Sequence, residues 1–298
     1  IYNTLSSSSQ LGDYQCTAYD TACVGWGNTA RESWYYTIKN DFIMGEFIWT
    51  GFDYIGEPTG TGAWHGTGTG SVVGGDQAVP NSSFFGVIDT AGFPKDSYYF
   101  YSSQWVEDKT TLHVVPQSWN EEDLTISSGK VPVYIYSNAA KVELYLNDVK
   151  IGTATRNDFE TDAGYTYFTY TNTSDNAELC TAVHENQEWK RMAAQFSVQY
   201  EEGTLSAKAY DSNGELIEDT YGLDYVTTNS DEGSSLKVTA EKSEIQADGS
   251  SLSYISVDVL DGNGEFVSSA RNNIRFSLTG NGEIVGVDNG NPSTTDKF

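Results

Sequence analysis

Cysteine is scarce in these 298 residues: only Cys16, Cys23 and Cys180 are present. So small and odd a count builds no disulfide framework. A Cys16–Cys23 bridge is open to the chain, and at least one thiol stays free. Histidine is as sparse, and His65, His113 and His184 stand too far apart to read as a metal set. No metal and no cofactor are expected. Basic residues are few, 16 Lys+Arg against 42 Asp+Glu for a formal net charge of -26. Such a chain repels phosphate backbones, which excludes nucleic acid as a first partner. No run approaches the roughly 18 apolar residues of a membrane helix, so no membrane span is expected. The sequence opens at Ile1 with neither Met nor a signal-peptide pattern, and reads as mature, processed or excised.

What is present is 38% hydrophobic and 13% aromatic, enough for packed cores and against wholesale disorder. The length suggests about two domains, or three small ones. Residues 1–105 hold five of the seven Trp. Asn28 or Thr29 starts a predicted helix to about Asn40, with Arg31, Trp34, Tyr35 and Ile38 in helical spacing. GEFIWTGFDY (Gly45–Tyr54) is short, apolar and aromatic and reads as a buried strand. Helix then buried strand is half of a βα unit. A Gly-rich loop follows from Gly56 to Gly75, and Asp96 starts a last helix through Ser97–Gln104.

From 106 to about 227 short strand-like runs alternate with turn residues. Val142, Leu144 and Leu146 alternate with Glu143 and Tyr145, and Asn147-Asp148 breaks the run. Seven or so such strands suggest an immunoglobulin-like sandwich. After the polar linker Thr227–Ser235, runs at Leu236–Ala240, Ser251–Leu260, Asn272–Leu278 and Glu283–Val287 suggest a second, truncated one.

Chemistry concentrates in GEFIWTGFDYIGEPT (45–59). As a strand it would put Phe47, Trp49, Gly51 and Asp53 on one face. A Trp beside carboxylates suits a sugar, giving an apolar platform and hydroxyl acceptors. The plainer alternative makes Trp49 core and Asp53 a local cap or ion pair.

That segment, with SSFFGVIDTAGFPKDSYYFYSSQW (82–105), resembles glycoside hydrolase family 2, the β-galactosidase and β-glucuronidase family. VPVYIYSNAAKVELYLNDVKIG (131–152) and GNGEIVGVDNGNP (280–292) are similar to the sandwiches that follow the barrel there. The resemblance implies a mainly β chain: the end of a (β/α)8 TIM barrel in 1–105, an immunoglobulin-like sandwich in 106–227 and a second in 228–298. A whole barrel takes about 250 residues, so 1–105 supplies only its last quarter.

Members retain anomeric configuration through an acid/base glutamate and a nucleophilic glutamate. The resemblance puts both on earlier strands. No Asn-Glu pair in 1–105 fits the acid/base; Asn120-Glu121 falls beyond, and His184-Glu185-Asn186 falls in the sandwich. Ile1–Ser9 resembles the stretch just after the nucleophile, so no catalytic residue is expected within this chain. Trp49, Asp53, Glu57 and Trp64 carry over as substrate-binding residues, and Lys95 as a packing or ion-pairing residue. The lack of an Asn-x-Lys signature at the matching place favours a β-galactoside.

The implied partners are that substrate and the N-terminal part of the same enzyme, in an extracellular or cell-surface setting. The competing reading is a non-catalytic carbohydrate-binding or structural module, with Tyr165, Tyr167 and Tyr170 as candidate contacts. Asn81-Ser82-Ser83 and Asn172-Thr173-Ser174 match the glycosylation triplet. Asp288-Asn289-Gly290-Asn291 reads as a turn or a cation loop.

Overall fold

The computed structural model describes residues 27–55, 83, 85–183, 186–230 and 232–290. Helix α1 (Ala30–Lys39) opens where the Thr29 carbonyl accepts the Ser33 amide at 3.0 Å. Helix α2 (Asp96–Trp105) follows later. Strands β1 (Thr110–Val115), β2 (Lys130–Ser137), β3 (Lys141–Leu146), β4 (Val149–Glu160) and β5 (Thr166–Ser174) come next. They are followed by β6 (Cys180–Ala182), β7 (Ala194–Gln199), β8 (Thr204–Tyr210), β9 (Thr220–Tyr221) and β10 (Tyr225–Thr227). Last come β11 (Ser235–Ala240) and β12 (Ile255–Leu260).

The first ten strands form two five-stranded sheets, ordered β6-β7-β2-β1-β9 and β10-β8-β3-β4-β5. Pairing is antiparallel except between β1 and β9, which run parallel at Thr110↔Thr220 and Thr111↔Tyr221. The β3–β4 turn places Asn147 and Asp148 at φ 50 and 63. Two consecutive left-handed residues make the tight turn whose twist matches the strands. The alternation read from 142–146 is what the sheet uses: Val142, Leu144 and Leu146 are buried in the core. They meet Trp119, Val133, Phe196 and Leu205 there. Gly152 lies so close that a Cβ would sit 2.6 Å from the Phe196 ring.

A second apolar cluster lies on the other side of the first sheet. Tyr35 of α1 and Phe100 and Tyr101 of α2 pack there with Val115, Tyr136 and Met192. The first sheet is therefore covered on both faces, by strands and by helices, which makes its outward Val115 and Tyr136 core residues. Tyr35 donates to Glu188, which also accepts from Lys39 at 2.7 Å. Burial, and next the bond to Glu188, push the Tyr35 phenol up to about 12.

Two expectations need correction. The segment from Glu46 to Phe52 is not a buried strand. Its pairing is limited to a parallel bridge of Phe52 with Ile88 and the bonds Val87 N–H to Thr50 O and Ile88 N–H to Gly51 O. Phe47, Trp49 and Phe52 are exposed, because no described strand covers the remaining edge or face. A closed barrel segment is accordingly not seen among the described residues. Between 232 and 290, β11 and β12 form a two-stranded sheet, and Asn272–Leu278 and Glu283–Val287 form no strand. Leu236, Val238 and Ile255 are exposed. A lone pair of strands buries too little to order further ones beside it.

Candidate carbohydrate site

Asp53 is the hub of the first segment. Its backbone amide donates to Ile88 O at 2.8 Å. Its Oδ1 accepts the Gly86 amide at 2.7 Å and the Ser83 hydroxyl at 3.3 Å. Its Oδ2 lies 2.6 Å from Lys95 Nζ, and each side chain is 5% exposed. Gly86 is obligatory: a Cβ would fall 2.3 Å from Asp53 N. Burial pushes the Asp53 carboxyl up, against the opposing pull of the Lys95 ammonium and the Gly86 amide. Both carboxylate oxygens are thus engaged by protein.

Trp49 stands on the surface at 65% exposure, and the Trp49–Thr50 peptide is cis. Its ring meets Tyr54 edge-on at 6.3 Å, and Tyr54 meets Phe85 at 6.0 Å. An exposed indole set against Tyr54, which Phe85 backs in turn, offers an apolar face. Glu57 and Trp64, and likewise Ile1–Ser9, Cys16, Cys23 and Asn81-Ser82, lie outside the described residues. Glu46 accepts from Ser33 and Thr37 of α1, each at 2.8 Å.

Lys95 and Asp96 part ways at the start of α2. Asp96 is the first helical residue, and its Oδ1 receives His113 Nε2 at 2.7 Å and Gln117 Nε2 at 2.6 Å. The Leu223 amide donates to His113 Nδ1 at 3.2 Å, so the ring proton sits on Nε2. Tyr99 stacks on His113 with centroids 3.9 Å apart. This buried junction fixes α2 on the sandwich. The sequence held its signal, a Lys-Asp pair at a helix start, but not its partners, which are supplied by β1 and the Leu223 loop.

The sandwich carries structural polar groups. Asn120 is buried and exchanges hydrogen bonds with Asn229 at 3.0 and 2.8 Å. Asn172 is buried too, its amide donating to Gln195 O. Among the described residues no group of three or more His, Cys, Asp or Glu could hold a metal, and no helix is long and apolar enough to cross a membrane. Cys180 is a free, buried thiol pushed up to about 12 by burial. Tyr170 is core, Tyr167 packs on Tyr35 and Phe159, and Tyr165 is exposed.

The described residues are mainly β, with a two-sheet sandwich covered on one side by helices. Residues 236–298 match the model of glycoside hydrolase family 2 C-terminal domain 5, and 128–218 match a domain of unknown function, DUF4982. The chain is 34% identical over 286 residues to β-galactosidase BoGH2A of Bacteroides ovatus, covering 96% of this chain and 27% of that protein. It is 30% identical over 277 residues to a Formosa agariphila protein provisionally assigned as a β-glucuronidase, covering 93% of this chain and 22% of that one. A crystal structure of a β-glycosidase from Bacteroides vulgatus superposes with TM-score 0.56 at 24% identity, over 85% of this chain and 25% of the other. The chain belongs to glycoside hydrolase family 2, of whose members it represents a C-terminal part. It spans about a quarter of the length of the curated relatives it matches.

Proposed function

We propose that this chain is the C-terminal part of a retaining β-glycosidase that hydrolyses terminal β-galactosides through a glycosyl-enzyme. The sandwich braces the segment that carries the sugar platform. The observation that carries the reading is the 34% identity over 286 residues to the Bacteroides ovatus β-galactosidase. The exposed Trp49 ring, set edge-on to Tyr54, supports it. Retention needs two carboxyl groups about 5–5.5 Å apart, one of them free to attack. Asp53 is bound to Lys95, and Glu46 is held by Ser33 and Thr37. In this reading the catalytic glutamates lie on the N-terminal part of the enzyme, as the family resemblance implies. In this reading Glu57 and Trp64 line the sugar beside Trp49, the N-terminal part of the enzyme completes the site, and the setting is extracellular or cell-surface.

Hydrolysis of aryl β-galactoside and aryl β-glucuronide by the purified chain, then by the chain preceded by the missing enzyme portion, tests the proposal. No turnover by the chain alone, and galactoside turnover by the extended protein, are expected. Turnover by the chain alone that is lost on changing Glu46, Asp53 or Glu57 would sink it. Glucuronide as the preferred substrate would move the assignment toward the Formosa agariphila relative.

A further inference from the structure

Asp89 is fully buried one residue beyond Ile88, whose carbonyl receives the Asp53 amide. Its Oδ1 accepts the Ala91 and Phe93 amides at 2.9 and 2.8 Å, which closes the turn 89–93. Its Oδ2 is buried without a hydrogen-bond partner. What faces that oxygen is Gly290, two hundred residues on in the chain. A Cβ there would fall 2.1 Å from Asp89 Oδ2, and Gly290 adopts φ +70. Two independent constraints therefore select glycine: the left-handed backbone, and the close approach to a carboxylate. The turn that presents it is self-braced, Asp288 Oδ1 accepting the Asn289 and Gly290 amides at 2.7 and 3.1 Å.

We propose that Gly290 is a positioning residue for the Trp49–Asp53 segment. The 288–290 turn seats on Asp89 and so holds the 86–89 stretch against 50–53. The proposal rests on the reading of that segment as a sugar site, and makes the C-terminal segment a working part of it rather than an appended spacer. The glycine turn lies directly over the buried Oδ2, an oxygen that costs free energy unless it is covered closely or hydrated. Any side chain at 290 lifts the turn, wets Asp89 and loosens the pairing next to it.

Hydrogen exchange on the full 298-residue chain tests the contact without any sugar. In Gly290→Ala the amides of Asp53, Val87, Ile88 and Asp89 should exchange about tenfold faster, while Val114 and Leu144 in the sandwich keep their rates. Asp89→Ser keeps an oxygen for the 89–93 turn and removes the one that meets Gly290. The pair Gly290→Ala/Asp89→Ser should then exchange no faster than Asp89→Ser alone. Unchanged rates in Gly290→Ala, or effects that simply add in the pair, overturn the proposal. Galactose titration of wild type and Gly290→Ala completes the test. Equal affinity despite faster exchange overturns the positioning role. Absence of binding to the wild type counts against the sugar reading alone, and the exchange rates still decide the contact.

Discussion

Lys95 Nζ reaches Asp53 Oδ2 at 2.6 Å across 42 residues of sequence, and both side chains are withdrawn from water. The pair joins the start of α2 to the segment that presents Trp49. Its geometry gives the aspartate a structural role: it fixes the backbone that carries the Trp49 ring.

Removing one partner leaves the other charge buried and alone. Lys95→Met should cost about 3–5 kcal/mol, and Asp53→Asn/Lys95→Met clearly less than Lys95→Met alone. Urea unfolding followed by tryptophan emission reads this, because five of the seven Trp lie in residues 1–105. A single variant as stable as wild type would refute the pairing.

Trp49 contributes contact surface rather than core. Trp49→Ala should change stability by less than about 0.5 kcal/mol while lowering galactose affinity about tenfold. Isothermal titration beside thermal melting separates the two effects. Undiminished affinity would remove Trp49 from the site.

Gly152 sits under the Phe196 ring with no room for a methyl group. Gly152→Ala should therefore destabilise the sandwich by about 1–3 kcal/mol, by forcing the ring or the strand aside. Chemical denaturation followed by far-ultraviolet circular dichroism measures it.

Glu143 sets an acid limit. Its Oε2 accepts from Tyr145 at 2.6 Å and Tyr210 at 3.0 Å, and Lys141 donates to Oε1 at 3.1 Å. Burial pushes the carboxyl up, but these bonds together outweigh it and hold it at about 2, below the ordinary 4.5. The folded state thus favours the ionised form. That stability is fully present above pH 4.5 and drains away as pH falls toward 2. Glu143→Gln should lose roughly 2 kcal/mol at pH 7, and its deficit should shrink through that window. A deficit independent of pH would refute the assignment.

Asn172 should stay unmodified even where the cell glycosylates its triplet. Its side chain is buried and its amide donates to Gln195 O of the other sheet, and a transferred glycan needs an exposed acceptor loop. Intact-protein and peptide mass spectrometry after secretion from a glycosylating host would show glycan there if this is wrong.

How far the sequence carried depended on where the determining contacts lie. α1, α2 and the alternating strands of the sandwich were legible because periodicity and turn residues are local, as at Val142–Leu146 and Asn147-Asp148. The 46–52 stretch misled because its apolar content reports a surface awaiting a neighbour, and composition alone does not say whether that neighbour is present. The runs at 272–278 and 283–287 failed for the same reason. In the site, Trp49 and Asp53 were legible as residue types. The partners Gly86, Ser83 and Lys95 were not assembled beforehand, because 30 to 42 residues separate them from Asp53 and only the fold brings them together. Glu57 and Trp64 lie outside the described residues and stand as proposals.

The parallel register of β1 with β9 has a consequence for synthesis. Thr110 finds Thr220 and Thr111 finds Tyr221, so the edge of the first sheet waits for the chain more than a hundred residues downstream. Loop closure on that scale is slow, and the open edge of β1 is exposed meanwhile. A nascent chain halted on the ribosome before Tyr221 should recruit chaperones. One released a few dozen residues later should not.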